Sequence, residues 1–303
     1  MNTSHISPGT IVVGIDGSAP ALQAVQWAAE QAQRQGRGLT LVHASGYEGA
    51  KPTTLRTVSD GDDVVWTDDA LRASHIHLRQ AQDVAEAIAP GVDVHGVSIP
   101  GDAAEVLASA SESAHLLVLG SRGRGSVRSH LFGSVSAHVA KTAHCPLVVV
   151  RPSEPGALKD GIVVAADATA ESTPVVEFAF QQASLHDAPL TVLHCVYDVA
   201  VTATGMAGGY VKALPDTDER SRALSESMAG LSEKYPDVHV TRLMARGLVE
   251  DNLAAHPRPW NLIVVGRHPV HGLRWLAGTT AVDVLEHAKS PVAVVPEAWP
   301  EES

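Results

Sequence analysis

Apolar residues in this chain fall into short unbroken runs, separated by longer stretches in which apolar positions recur every three or four residues. Residues 10–15, 39–43, 115–119 and 147–150 are runs of the first kind and read as strands buried on both faces, as in a parallel sheet. Residues 92–99 alternate and read as one more strand. Between the first two runs, Leu22, Val25, Ala29 and Ala32 share one helical face, with Ser18 as N-cap, Pro20 in the first turn, and Gly36 and Gly38 at the end. Further helices are predicted over residues 70–89, stopped by Pro90-Gly91, over 102–113 and over 134–142. The polar stretch 46–69 reads as a long excursion placed to cover a site.

The pattern then returns. Val12-Val13-Gly14-Ile15-Asp16 recurs as Val163-Val164-Ala165-Ala166-Asp167, and Leu41-Val42-His43-Ala44 as Val192-Leu193-His194-Cys195, both displaced by 151. Gly101 matches Gly247 and Leu119-Gly120 matches Val265-Gly266 at a displacement of 146; Cys145-Pro146-Leu147-Val148 matches Ser290-Pro291-Val292-Ala293 at 145. Ordered matches with such small steps identify a tandem duplication. The expected division is a first domain at 1–152, a linker at 153–160 that follows Pro152 and contains Pro155 and Gly156, and a second domain at 161–303. In the second copy a helix is expected from Ser172, an excursion over 198–217, a long helix over 218–235, and strands over 261–265 and 292–295. Strands alternating with helices imply an α/β fold built from right-handed parallel βαβ units with helices on both faces. Such sheets bind ligands at the carboxyl ends of their strands, so the tips at Asp16 and Gly120 are expected side by side.

Composition narrows the functional classes. A length of 303 residues suits about two domains. A net charge of −12 lacks the electrostatic footprint of a nucleic-acid binder. No apolar run approaches the roughly 20 residues of a membrane span. Residues 1–8 carry neither a basic nor an apolar leader segment, so no signal peptide and a cytoplasmic location are expected. Cys145 and Cys195 read as buried, reduced thiols. His75 with His77, and His268 with His271, have no cysteine or carboxylate companions at ligand spacing, so no metal site is predicted.

The chemistry concentrates at residues 118–136. An apolar run ends at Gly120, a loop rich in glycine and arginine follows, and Gly133-Ser134 opens a helix. Glycine admits close backbone approach, and the free N–H groups of a first helical turn point at an anion with the helix dipole behind them. The loop is therefore expected to hold nucleotide phosphates. Asp16 is either a ligand contact or a turn and capping residue. Arg122, Arg124 and Arg128 either clamp phosphate oxygens or stand in solvent. His43 reads as a satisfied core histidine. A G-x4-G-K-[ST] pattern is missing, so the loop is not a phosphate-lysine loop.

Gly120-x2-Gly123-x9-Gly133-Ser134 resembles the G-x2-G-x9-G-[ST] nucleotide loop of the universal stress proteins. The opening Val12-Val13-Gly14-Ile15-Asp16-Gly17-Ser18 and the ending His144-Cys145-Pro146-Leu147-Val148-Val149-Val150 are similar to theirs as well. The resemblance implies two tandem Rossmann-like (adenine nucleotide alpha hydrolase-like) domains, each a five-stranded parallel sheet. It implies ATP, with Mg2+, as the cofactor. Asp16 would contact the adenosine end and the backbone at Ala44 would support adenine. Gly120, Gly123, Gly133, Ser134 and Ser136 would line ribose and triphosphate, with Gly14, Ile15, Leu119, Arg122, Arg124 and Val135 as neighbours in the site. Family members pair domains through their last strands, so intramolecular pairing of the two domains about a pseudo-twofold axis is expected, with a homodimer beyond it. The implied role is a stress-response or signalling regulator switched by bound nucleotide. The alternatives are a slow ATPase or nucleotidyl-transfer enzyme, and a dimerisation module without ligand. Related pyrophosphatase-type enzymes carry S-G-G-x-D-S after the first strand, where this chain has Asp16-Gly17-Ser18.

Asp167, Gly266, Gly278 and Thr279 are the surviving candidates in the second copy. There Pro269 replaces Gly123, and one residue is missing before Gly278-Thr279. Proline offers no N–H and fixes φ. A lost charge-assisted donor costs about 1.5–3 kcal/mol, or roughly tenfold to a hundredfold in affinity. Titration calorimetry with Mg-ATP is expected to resolve one tight site; two equivalent sites per chain would contradict this reading.

Overall fold

A computed structural model of the chain describes residues 6–45, 56–57, 64–65, 68–121, 133–152, 159–166, 172–196, 228–254, 256–267, 280–296 and 299. It divides into two compact units, Met1–Cys145 and Pro146–Ser303.

The first unit runs β1 (Ile11–Ile15), α1 (Ala19–Gln35), β2 (Leu39–Ser45), a short antiparallel pair β3 (Arg56–Thr57) and β4 (Val64–Val65), α2 (Asp68–Ile88), β5 (Val94–Pro100), α3 (Ala103–Ala110), β6 (Leu116–Gly120) and α4 (Ser134–Thr142). Its main sheet has the order β6-β1-β2-β5 with every neighbour parallel. The sheet is covered on both faces, by α1 with α2 and by α3 with α4. Burial from both sides explains the apolar runs: Ile11, Val12, Val13, Leu39, Leu41, Leu116, Leu117 and Val118 are all fully or almost fully buried.

Local signals start and stop the helices as anticipated. Ser18 caps α1, its Oγ accepting from the Ala21 N–H at 3.3 Å, and Pro20 sits in the first turn. Ala21, Ala24, Val25, Ala28, Ala29 and Ala32 form the buried stripe of α1. Gly36 ends the helix at φ +63°, a left-handed position that glycine takes without strain. Asp102, expected as the first residue of a helix, instead caps α3 by accepting from the N–H groups of Ala104 and Glu105. Thr10 and Thr40, buried beneath the sheet, satisfy one another through their hydroxyls at 3.0 Å.

The second unit opens with β7 (Leu147–Val150) and continues β8 (Ile162–Ala165), α5 (Thr173–Leu185), β9 (Leu190–Val196), helical residues 228–234, β10 (Val240–Arg246), α6 (Val249–Ala254), β11 (Leu262–Arg267), α7 (Thr280–His287) and β12 (Val292–Pro296). Strands β10-β9-β8-β11-β12 are parallel, and β7 runs antiparallel along β12, Val292 facing Val149 and Val294 facing Leu147. Phe178 and Phe180 on α5 are its largest fully buried side chains.

Two expectations are corrected. Cys145 is buried, but Cys195 is only half-buried, because β9 is nearing its carboxyl end there. His43, read as a core histidine, is likewise half-buried near the end of β2. Arg151 does more than follow the last strand of its repeat: its guanidinium donates to the Leu285 carbonyl in the last turn of α7. At the far end of the linker, Asp160 pairs with Arg258 at 2.8 Å. The excursions at 46–69 and 198–217 lie largely or wholly outside the described residues.

Leu41 is fully buried at the centre of the first sheet, whereas Ile76 on α2 is 63% exposed. Leu41→Ala should destabilise the protein by about 2–5 kcal/mol, and Ile76→Ala by less than about 0.5 kcal/mol. Urea denaturation of the two variants checks the contrast.

Candidate functional site

Three strand ends meet at one rim of the first sheet. In the parallel register Ile15 lies opposite His43, and Val13 lies opposite both Leu41 and Val118. Asp16, Ala44 and Gly120 therefore stand at the tips of three adjacent strands, β2-β1-β6. Ile15 and Leu119 are buried, and what they offer the rim is backbone.

The Asp16 carboxylate accepts from the Ser18 N–H at 2.9 Å, closing a turn over Gly17. Gly17 has φ +76°, and a Cβ built there would stand 2.3 Å from Nδ1 of His77 on α2. Asp16 is thus a turn residue in this structure, and it remains half-exposed at the rim. Ala44 is half-buried within β2 opposite Ile99, and the next residue, Ser45, donates its hydroxyl to the Ile99 carbonyl at 3.4 Å.

Gly120 is required by packing. A Cβ there would lie 2.6 Å from the carbonyl carbon of Pro20 and 2.9 Å from the Ala21 nitrogen, so the start of α1 rests on the strand tip. Gly14 is crowded in another way, by the side chains of Leu119 and Leu107 at 2.5 and 3.0 Å from the built Cβ.

Across the rim stands the N-terminus of α4. Gly133 is its N-cap in extended conformation, and among the described residues no side chain caps the helix. Ser134 is exposed, Val135 half-buried and Ser136 buried. The Ser136 hydroxyl donates to the Gly120 carbonyl at 3.3 Å, tying the start of α4 to the tip of β6. First-turn amides lack intrahelical partners. In α1 and α3 a side-chain oxygen takes that role, and in α4 none does among the described residues. Arg122, Gly123 and Arg124, between these two anchors, lie outside the described residues, as does Arg128.

The second rim differs. Ala166 follows β8, and its carbonyl accepts from Nδ1 of the buried His194 at 2.8 Å. Gly266 is half-buried in β11 opposite Val295, while Asp167, Gly278, Thr279 and His268 to Pro269 lie outside the described residues. Two differences are visible in α7. The position matching Ser136 is Ala281, which is buried and cannot form the hydroxyl tie, and the position matching His138 is Asp283. Partial burial pushes the Asp283 carboxyl above its ordinary range, Glu286 adds to the rise and His287 offsets part of it.

Sequence reasoning considered His75 and His77 only as metal ligands. The structure separates them: His75 is exposed, and His77 turns in toward Gly17 and His43, the two rings 5.6 Å apart. The signal was their odd spacing on a helix, which sends neighbours i and i+2 to different faces.

The family model described as the universal stress protein family matches the chain at residues 8–151 and again at 160–296. The chain belongs to the universal stress protein family. A universal stress protein of Mycobacterium tuberculosis is 31% identical over 98% of this chain and 99% of its own length. One of Mycobacterium bovis is 30% identical over 94% and 96%. Among solved structures, a universal stress protein of Archaeoglobus fulgidus superposes with TM-score 0.66 over 95% of this chain and 96% of that one, at 17% identity. That likeness shows the shared fold. The two family matches fall on the two repeats, so this is a tandem universal stress protein.

In this universal stress protein the two rim glycines differ in what a methyl group would meet. Gly120→Ala forces the methyl into Pro20 backbone and should cost about 1–3 kcal/mol. Gly14→Ala meets only the ends of leucine side chains and should cost less. Thermal melts of both variants, measured side by side, test the ranking.

Proposed function

We propose that the first repeat binds ATP, as its Mg2+ complex, and that bound nucleotide acts as a regulatory switch in a stress or growth-signalling response. The carrying observation is the uncapped start of α4, tied through Ser136 to the strand tip at Gly120. The loop between them has the family's glycine spacing. This arrangement supports a phosphate cradle of backbone amides, with Asp16 and Ala44 on the neighbouring tips for the nucleoside end. Amides and hydroxyls suit an anion, because each charge-assisted hydrogen bond contributes about 1.5–3 kcal/mol and micromolar affinity needs roughly 8 kcal/mol in all. Mg2+ would neutralise phosphate charge that the acidic chain does not. As a switch, ATP must bind one state of the protein better than another.

The second repeat is read as a weaker site or none, on the strength of Pro269, Ala281 and Asp283. Pairing of the two repeats through their last strands belongs to the same proposal, and the ladder of β7 with β12 supports it. A cytoplasmic homodimer completes the reading.

Protein purified without added nucleotide can be denatured and its supernatant analysed chromatographically. Adenine nucleotide is expected from the parent protein. Asp16→Ala or Gly123→Val should reduce it at least about tenfold without changing the circular dichroism spectrum. Unchanged nucleotide content in both variants would place the site elsewhere.

A further inference from the structure

Among the described residues β5 pairs only with β2, and β10 only with β9, so each is an edge strand. Two hydrogen bonds fix which backbone groups of β5 point outward. The Leu39 N–H donates to the Asp93 carbonyl at 2.8 Å, and the Gly101 N–H donates to the Ser45 carbonyl at 3.5 Å. In a parallel ladder, residues bonded to one neighbour alternate with residues that face the other side. Asp93, His95, Val97, Ile99 and Gly101 therefore face β2, and the N–H and C=O groups of Val94, Gly96 and Ser98 face away from it. Pro100 has no N–H and closes the row. His95, Gly96 and Ser98 are exposed.

The two edges differ in charge. β5 reads Val94-His95-Gly96-Val97-Ser98-Ile99-Pro100 and carries no Lys, Arg, Asp or Glu. β10 reads Val240-Thr241-Arg242-Leu243-Met244-Ala245-Arg246. The Leu190 N–H of β9 donates to the His239 carbonyl at 2.9 Å, so Val240, Arg242, Met244 and Arg246 take the outward places on β10. Leu39 pairs with Val94 as Leu190 pairs with Val240, which sets Arg242 at the place of Gly96. Exposed edges are commonly blunted by charged side chains. β10 is blunted in this way at its centre, and β5 is not. The exposed large apolar side chains among the described residues, Ile76 at 63% and Ile88 at 37%, both belong to α2, the helix packed on β5.

We propose that β5 is the surface through which two copies of this chain associate, as an antiparallel strand pair with Gly96 opposite its own counterpart. This assigns an interface to the homodimer and rests on the reading of the protein as one. In that register Val94 stands opposite Ser98 of the second copy, so every outward N–H of Val94, Gly96 and Ser98 meets an outward carbonyl. His95 comes opposite Val97, and no two charged side chains are set against one another. The row of donors is self-complementary about Gly96, which singles out a second copy as the occupant. The same pairing by β10 would set Arg242 directly against its own counterpart, and like charges so placed are destabilising. Residues directly opposite in an antiparallel pair share a face of the sheet. The α2 helices of both copies therefore come to lie on one face of the joined sheet.

Sedimentation equilibrium of the full chain over a range of concentrations tests this, with the parent expected as a dimer. Ser98→Pro removes an outward N–H and leaves the ladder to β2 intact, because proline is tolerated on an edge strand where its nitrogen faces out. It should weaken the dimer at least about tenfold with an unchanged circular dichroism spectrum. Gly96→Arg reproduces the residue of β10 and should leave monomers at concentrations where the parent is dimeric. A parent dimer that Ser98→Pro and Gly96→Arg both leave unweakened lies on another surface, which overturns this inference and leaves the homodimer standing. A parent that is monomeric throughout overturns both.

Discussion

A strand can be joined to a parallel neighbour only by crossing over a face of the sheet, and the helix in that crossover must be covered and must cover. The first unit of this protein obeys that constraint four strands running, among the described residues. All carboxyl ends come out at one rim, where β1 and β5 pass by short turns into the N-termini of α1 and α3. The rim is where backbone donors and a half-exposed carboxylate can face a ligand without breaking the core. Ile15 and Leu119 hold it from below; Asp16, Ala44 and Gly120 are what remains at the surface.

Three glycines at this rim serve three purposes. Gly14 makes room for leucine side chains beneath the sheet. Gly120 lets the first turn of α1 sit directly on the strand tip. Gly17 takes a left-handed conformation and leaves space for an imidazole. None of these demands is a ligand contact, yet each fixes an atom that a ligand would meet. The Ser136 tie has the same character, since its hydroxyl is spent on the Gly120 carbonyl and its effect is to place the amides of α4.

Duplication lets one chain carry its own control. Both repeats retain the strand pattern, the parallel register and the histidine on the second strand. They differ where function would differ: a glycine became proline in the loop, a serine became alanine at the helix start, and a carboxylate arrived in the first turn. The core differs as well, since the fully buried Phe180 of α5 stands where Ala29 stands on α1, so the two repeats share a fold and not a packing. Membership of the universal stress protein family accounts for the shared architecture; the asymmetry belongs to this chain.

The sequence by itself determined the duplication, the α/β class, the alternation of strands and helices and the ends of α1, because these depend on periodicity and on single residues such as Ser18 and Gly36. It also located the glycine spacing of the loop and its loss in the second copy. Register and packing lay beyond it. That Arg151 caps α7, that Cys195 is half-exposed, and that His77 meets Gly17 all depend on contacts between residues far apart in the chain. Such contacts leave no local pattern to read, since any apolar strand edge or any helical histidine looks the same until a neighbour arrives.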